Sequence, residues 1–129
     1  MTPFEFAQTV FDAQPFTRDL GAELLEASAD GVVVALDLAP RHLQQHGIVH
    51  GGVLSAMADI ALAFAGGLAM GSDAVTSEFK INYIRPVTGA GLLVRAEALG
   101  VTKRQAVVQA RVFAGEALCC VAQGTIIRV

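Results

Sequence analysis

The longest apolar stretch runs from Gly51 to Ser72, GGVLSAMADIALAFAGGLAMGS, and Asp59 is its only ionisable side chain. A helix apolar on every side belongs in a bilayer or in the core of a globular fold. Asp59 near its middle, five glycines and no basic or aromatic flank favour the core. The stretch predicts a buried helix over about 53–68. Beyond it the period changes to two. Over 75–85, Val75, Ser77, Phe79, Ile81 and Tyr83 alternate with Thr76, Glu78, Lys80, Asn82 and Ile84, which predicts a strand. Pro86 and Gly89 mark a turn, and further strands are expected near 91–101, 105–114 and 117–128. Thr102-Lys103-Arg104 and Ala114-Gly115-Glu116 separate them. Upstream, strands near 20–28 and 32–39 flank the hairpin signal Ala29-Asp30-Gly31, with Val32, Val34, Leu36 and Leu38 on one face. The chain opens on a helix start. Thr2 can cap it, Pro3 suits its first position and Glu5 completes a capping box; Phe4, Val10 and Phe11 form its apolar side, and Pro15 ends it.

Residues 40–52 are rich in turn formers. The order α-β-β-α-β-β-β-β predicts an α+β fold, an antiparallel sheet wrapped around one long apolar helix with a short N-terminal helix. A length of 129 residues gives a single domain over 1–129. Apolar residues make up 53% of the chain and charged residues 16%, more apolar surface than one small domain hides, so part of it should be covered by another copy of the chain. The net charge of −3 argues against nucleic acid as a partner. The N-terminus lacks the basic and apolar segments of a secretory leader. The adjacent cysteines Cys119 and Cys120 form no disulfide framework. Both features point to a reducing, cytoplasmic setting without a membrane.

Two features could carry chemistry. A carboxylate in an apolar helix is costly unless it is paired or neutral, so Asp59 needs a reason: a structural hydrogen bond at an interface, or service as nucleophile or general base. Ser55, four residues earlier, shares its helix face. The second feature is Gly47-Ile48-Val49-His50-Gly51-Gly52, directly before that helix. Glycines at a helix start bare backbone N–H groups beside the positive end of the dipole, a place for a carbonyl oxygen that gains charge, or merely a tight turn. His42, His46 and His50 are spaced by four, but the glycines among them speak against the helix that would gather them around a metal. Gly51 and Asp59, eight residues apart, lie about 12 Å apart along a helix. They can serve one reacting carbonyl only from different subunits.

Gln44-Gln45-His46-Gly47-Ile48-Val49-His50-Gly51-Gly52, followed by Val53 through Asp59, resembles the signature of hotdog-fold acyl-CoA thioesterases, closest to the PaaI-like (phenylacetyl-CoA thioesterase) group. Thr76 through Pro86 resembles the usual continuation, and the likeness covers roughly 17–128. It implies a hotdog fold and hydrolysis of an acyl- or aryl-CoA by a homodimer or dimer of dimers, with sites at the subunit interface and no cofactor. It implies Asp59 as the catalytic carboxylate, Gly51 as the backbone N–H donor to the thioester carbonyl, and His50 as the residue that shapes the loop and contacts the thioester region. Gln44 would face the reacting group and Thr76 would assist the nucleophile. Gln at that position often accompanies Glu rather than Asp, so direct attack and water activation by Asp59 both stay open. Strict alternation would turn Thr76 away from the helix, so its role requires a twist or bulge. Gly52 and Ser55 would contact substrate, and Arg85, Lys103 and Arg104 would meet the phosphates of coenzyme A. Two other classes share this fold: a module that binds acyl-CoA without turnover, and an acyl-thioester hydratase or dehydratase, against which stands the absence of any histidine after His50.

Overall fold

The computed structural model describes residues 1–129. Helix α1 spans Pro3–Asp12. It starts as the sequence requires, with the Thr2 hydroxyl accepting from the Glu5 N–H at 3.1 Å and Pro3 in the first turn. Its buried side, Ala7 and Phe11, faces the rest of the molecule, and the Phe11 ring meets Phe64 at 5.5 Å between centroids. Pro15 does not lead into a strand. It opens a second short helix, α2 (Pro15–Leu20), which Gly21 ends in the left-handed region at φ 91°. The first strand therefore starts at residue 22, not 20. Proline both stops one helix and pre-sets φ for the first turn of the next.

Six strands follow: β1 (Ala22–Ser28), β2 (Gly31–Asp37), then β3 (Ala74–Tyr83), β4 (Gly91–Val101), β5 (Gln105–Ala114) and β6 (Ala117–Arg128). All pair antiparallel in the order β1-β2-β4-β5-β6-β3. Helix α3 (Gly51–Met70) is inserted between β2 and β3, and packs on every strand. It starts two residues before the expected 53 and runs two past 68, because His50 caps its first turn and Gly71, at φ 67°, closes its last. The apolar stretch is thus the core helix of a hotdog fold. Met57, Ala58, Ala61 and Leu62 are fully buried against Val34, Val94, Val108, Val112 and Ile126 from the sheet. At Gly66 the helix comes so close to β6 that a Cβ would lie 2.6 Å from Ile126, so the missing side chain sets the helix-to-sheet distance. Arg128 ties the far end of α3 to the β4–β5 turn, donating through Nε to the Lys103 carbonyl at 2.7 Å and through its terminal nitrogen to the Met70 carbonyl at 3.3 Å. Its charge also suits the negative end of the helix dipole.

Cys119 and Cys120 are both free and buried. Burial, aided by the neighbouring Cys119, pushes the Cys120 thiol up to about 11. The unfolded chain loses this proton near pH 9 and the folded chain only near 11, so the contribution favours the fold below pH 9 and is lost across that window. Because both thiols are buried away from the reagent, neither cysteine should consume Ellman's reagent at pH 8 while the protein is folded, and both should after denaturation. A fast two-thiol burst from native protein would contradict this packing.

Candidate active site

Strand β3 carries the irregularity on which Thr76 depends. Its pairing with β6 shifts between Thr76 and Glu78, so one extra residue is accommodated there. This corrects the strict alternation expected for the strand. Val75 is exposed, Thr76 turns in, and Phe79 and Ile81 resume the inward face. The turned hydroxyl donates to Asp59 Oδ1 at 2.6 Å. Asp59 is half-buried on α3, and its second oxygen makes no hydrogen bond within the chain. Asp59 and Thr76, 17 residues apart in sequence, thus form a pair with one acceptor oxygen left open.

The other half of the site is the start of α3. The His50 Nδ1 accepts from the Gly52 N–H at 2.8 Å. An accepting Nδ1 leaves the proton of the neutral ring on Nε2, at the outer edge of the cap. A side chain at Gly52 would meet His50 at 2.9 Å, so glycine is what lets the cap close. The Gly51 N–H has no partner in the chain: Val53 and Leu54 donate to the His50 carbonyl, and Gly52 to the His50 ring. This open donor sits where the dipole of a 20-residue helix is most positive.

Tyr83 escaped the sequence reading. It ends β3, its ring lies 3.5 Å from where a Gly51 Cβ would be, and its hydroxyl donates to the Gly51 carbonyl at 3.1 Å. It positions the helix start from across the sheet. No local signal marks it, since the alternation makes it an ordinary strand residue. Replacing Tyr83 by Phe removes that bond but keeps the ring. Turnover should fall about three- to tenfold, the range of one net hydrogen bond, with little change in thermal stability. Unchanged kcat would remove Tyr83 from this role.

The remaining expected residues divide. Gln44 Oε1 accepts from the His46 N–H at 2.7 Å and closes the turn Gln44–Gly47, whose Gly47 adopts φ 80°. Ser55 donates back to the Gly52 carbonyl at 3.1 Å, not to Asp59. His42 is not an ordinary loop residue. It is buried, its Nδ1 accepts from the Ala39 N–H at 2.9 Å, and its Nε2 meets the Leu20 carbonyl at 2.9 Å, so it staples the loop to the end of α2. Both its nitrogens are taken, and the Nδ1 of His50 is taken by the Gly52 N–H. Arg85 comes two residues after Tyr83 and anchors its Nε on the Leu118 carbonyl at 3.1 Å. Lys103 and Arg104 sit at the opposite end of the sheet, beside Arg128. Leu118 and Arg128 are ten residues apart on β6, about 33 Å. One chain therefore does not gather the three cations around one phosphate group. Nor does it unite the two halves of the site, because Gly51 and Asp59 are separated along α3 by about 12 Å.

A family model described as the thioesterase superfamily matches residues 46–121, which include the α3 start, Asp59, Thr76 and Tyr83. Among solved structures, a mutant form of the phenylacetic acid degradation protein PaaI from Thermus thermophilus is 31% identical, with a TM-score of 0.84 over 90% of this chain and 100% of that one. A thioesterase family protein from Silicibacter pomeroyi is 26% identical, with a TM-score of 0.85 over 94% and 93%. The PaaI protein of E. coli, from its phenylacetic acid degradation operon, shares the fold at 22% identity, with a TM-score of 0.88 over 98% and 93%.

Proposed function

The chain belongs to the thioesterase superfamily, and from that premise we propose that it hydrolyses acyl-CoA or aryl-CoA esters to the free acid and coenzyme A. The observation that carries this reading is the Asp59 carboxylate, with one oxygen held by Thr76 and the other open. In the water-activating route, the open oxygen takes a proton from water as the hydroxide attacks the thioester carbon. The carbonyl oxygen gains charge against the Gly51 N–H and the helix dipole. Collapse breaks the C–S bond, and the thiolate takes up the proton that Asp59 received. In the direct route Asp59 attacks the same carbon, the C–S bond breaks and the thiolate leaves; water then hydrolyses the mixed anhydride, which frees the acid, restores the Asp59 carboxylate and leaves a proton for the thiolate. Both routes place the same two groups on the carbonyl, and both leave His50, Gln44, Gly52 and Ser55 to shape the helix start.

Two subunits supply these groups in our reading, Gly51 from one and Asp59 from the other. The edge position of β3 supports it: β6 pairs along one side, and the other side is open. A free ten-residue edge calls for a partner. Exposed Leu43, Tyr83 and Ile84 around the helix start also fit burial by a second copy. Arg85 lies on the helix-start side of the sheet and is the cation best placed for the phosphates of coenzyme A; Lys103 and Arg104 would reach them only from a partner subunit. Buried free thiols suit a reducing, cytoplasmic setting.

The test is thiol release from a panel of acyl- and aryl-CoA esters, followed with Ellman's reagent, beside sedimentation of the protein at micromolar concentration. Release by a homo-oligomer is the expected result. Thermal stabilisation by CoA esters without thiol release would replace hydrolysis by binding alone, and an active monomer would overturn the shared site.

A further inference from the structure

Between α1 and the C-terminal half of α3 lies a groove of about 830 Å³. It falls in the size range of small-molecule sites. Phe6 and Val10 of α1 form one wall, Phe64, Gly67 and Leu68 of α3 another, and Val75 of β3 closes it below. Asp73 is the one charged side chain that lines it. Phe6 and Val75 are 52% and 50% exposed, so these apolar groups stand in water unless something apolar covers them.

The location of the groove gives it an occupant. Ala63, at its near end, comes one helical turn after Asp59, about 6 Å along the axis. Val75 immediately precedes Thr76 on the bulged strand. The groove therefore begins one helical turn beyond Asp59, and it runs along α3 from Ala63 to Gly71, about 12 Å. We propose that it holds the acyl part of the thioester, and that its elongated apolar shape selects a straight chain of medium length over acetyl or a single aromatic ring. The chain would leave the carbonyl beside Asp59, pass over Ala63 and cover Phe6, Val10 and Val75. The small residues at 63 and 67 keep that path open. This inference rests on the thioesterase reading, which supplies the carbonyl at its head.

The experiment compares kcat/KM for acetyl-, hexanoyl-, decanoyl- and phenylacetyl-CoA in the wild type, Ala63→Leu and Val10→Trp. Arg95→Ala, an exposed residue in a surface ion pair with Glu26, is the control. The wild type should favour hexanoyl and decanoyl over acetyl at least tenfold. Ala63→Leu blocks the near end and Val10→Trp narrows the wall from α1, a second route should the α3 variant fail to fold. Each should lower the decanoyl-to-acetyl ratio at least tenfold, and Arg95→Ala should not move it. An unchanged ratio in active variants, or an equal fall for every ester, overturns the groove while hydrolysis stands. Selective loss of phenylacetyl turnover overturns the straight chain in favour of an aryl site. A wild type that releases thiol from none of the esters overturns the thioesterase reading, and the groove assignment with it.

Discussion

Replacing Asp59 by Asn is expected to lower thioester turnover at least about a hundredfold while the protein stays folded. The expectation follows from how the carboxylate is held. Thr76 donates to Oδ1 at 2.6 Å, and an amide oxygen can accept from the same hydroxyl. The pair that fixes the side chain therefore survives the change. What is lost is the open oxygen, replaced by an NH₂ group that neither attacks a carbonyl nor takes a proton from water. A positioned general base is worth about 10² to 10⁴ in rate, and a loss of that size should fall on kcat with KM little altered. The check is thiol release at saturating ester, with circular dichroism and melting temperature beside it. Near-normal turnover in a folded Asp59→Asn protein would return the residue to the structural alternative. Its hydrogen bond to Thr76 would then be its whole purpose.

The largest loss of stability is expected at Gly124, on β6 opposite Phe79. A Cβ there would overlap the Glu78 carbonyl oxygen and the Phe79 Cβ, and would stand 2.9 Å from the Phe79 Cα. Two of these are backbone atoms, so no rotamer change relieves them. The strands must part at the point where β3 has just absorbed its extra residue. Overpacking of this kind costs about 3 kcal/mol, and Gly124→Val should lower the melting temperature by about 10 °C or more. It should also reduce turnover below the melting range, because the bulge that turns Thr76 toward Asp59 lies two pairs away. A melting temperature within about 2 °C of the wild type would show that β3 and β6 separate at little cost.

The two expectations draw on different kinds of information. Asp59 was visible in the sequence, because one carboxylate among 22 otherwise non-ionisable residues stands out on composition alone. The helix start was visible for a similar reason. Glycines after a capping residue bare donors wherever the chain goes, and here His50 caps and the Gly51 N–H stays open. Long elements were legible too. The apolar run became α3, and the period-two segments became β4, β5 and β6 at or near the expected bounds. Even the expectation of two subunits comes from spacing, because helical rise fixes how far apart residues 51 and 59 must be.

Other features depend on residues distant in sequence. The bulge at Thr76 is a relation between β3 and β6, and the alternation within β3 pointed the other way. The Tyr83 hydroxyl finds Gly51 across 32 residues, and His42 finds Leu20 across 22. Gly124 carries no local signal, and its constraint comes from Phe79 on the neighbouring strand. The short helix after Pro15 was hidden because six residues are too few for a periodic signal, and packing on α1 and β1 holds it. The groove exists only because α1 docks through Phe11 on Phe64. The sequence by itself determined which residues can do chemistry and which segments are buried, since both follow from side-chain type and local period. The tertiary structure decided which oxygen of Asp59 is free, what holds the helix start and where the groove between α1 and α3 runs, because those depend on contacts made only when distant segments close on one another.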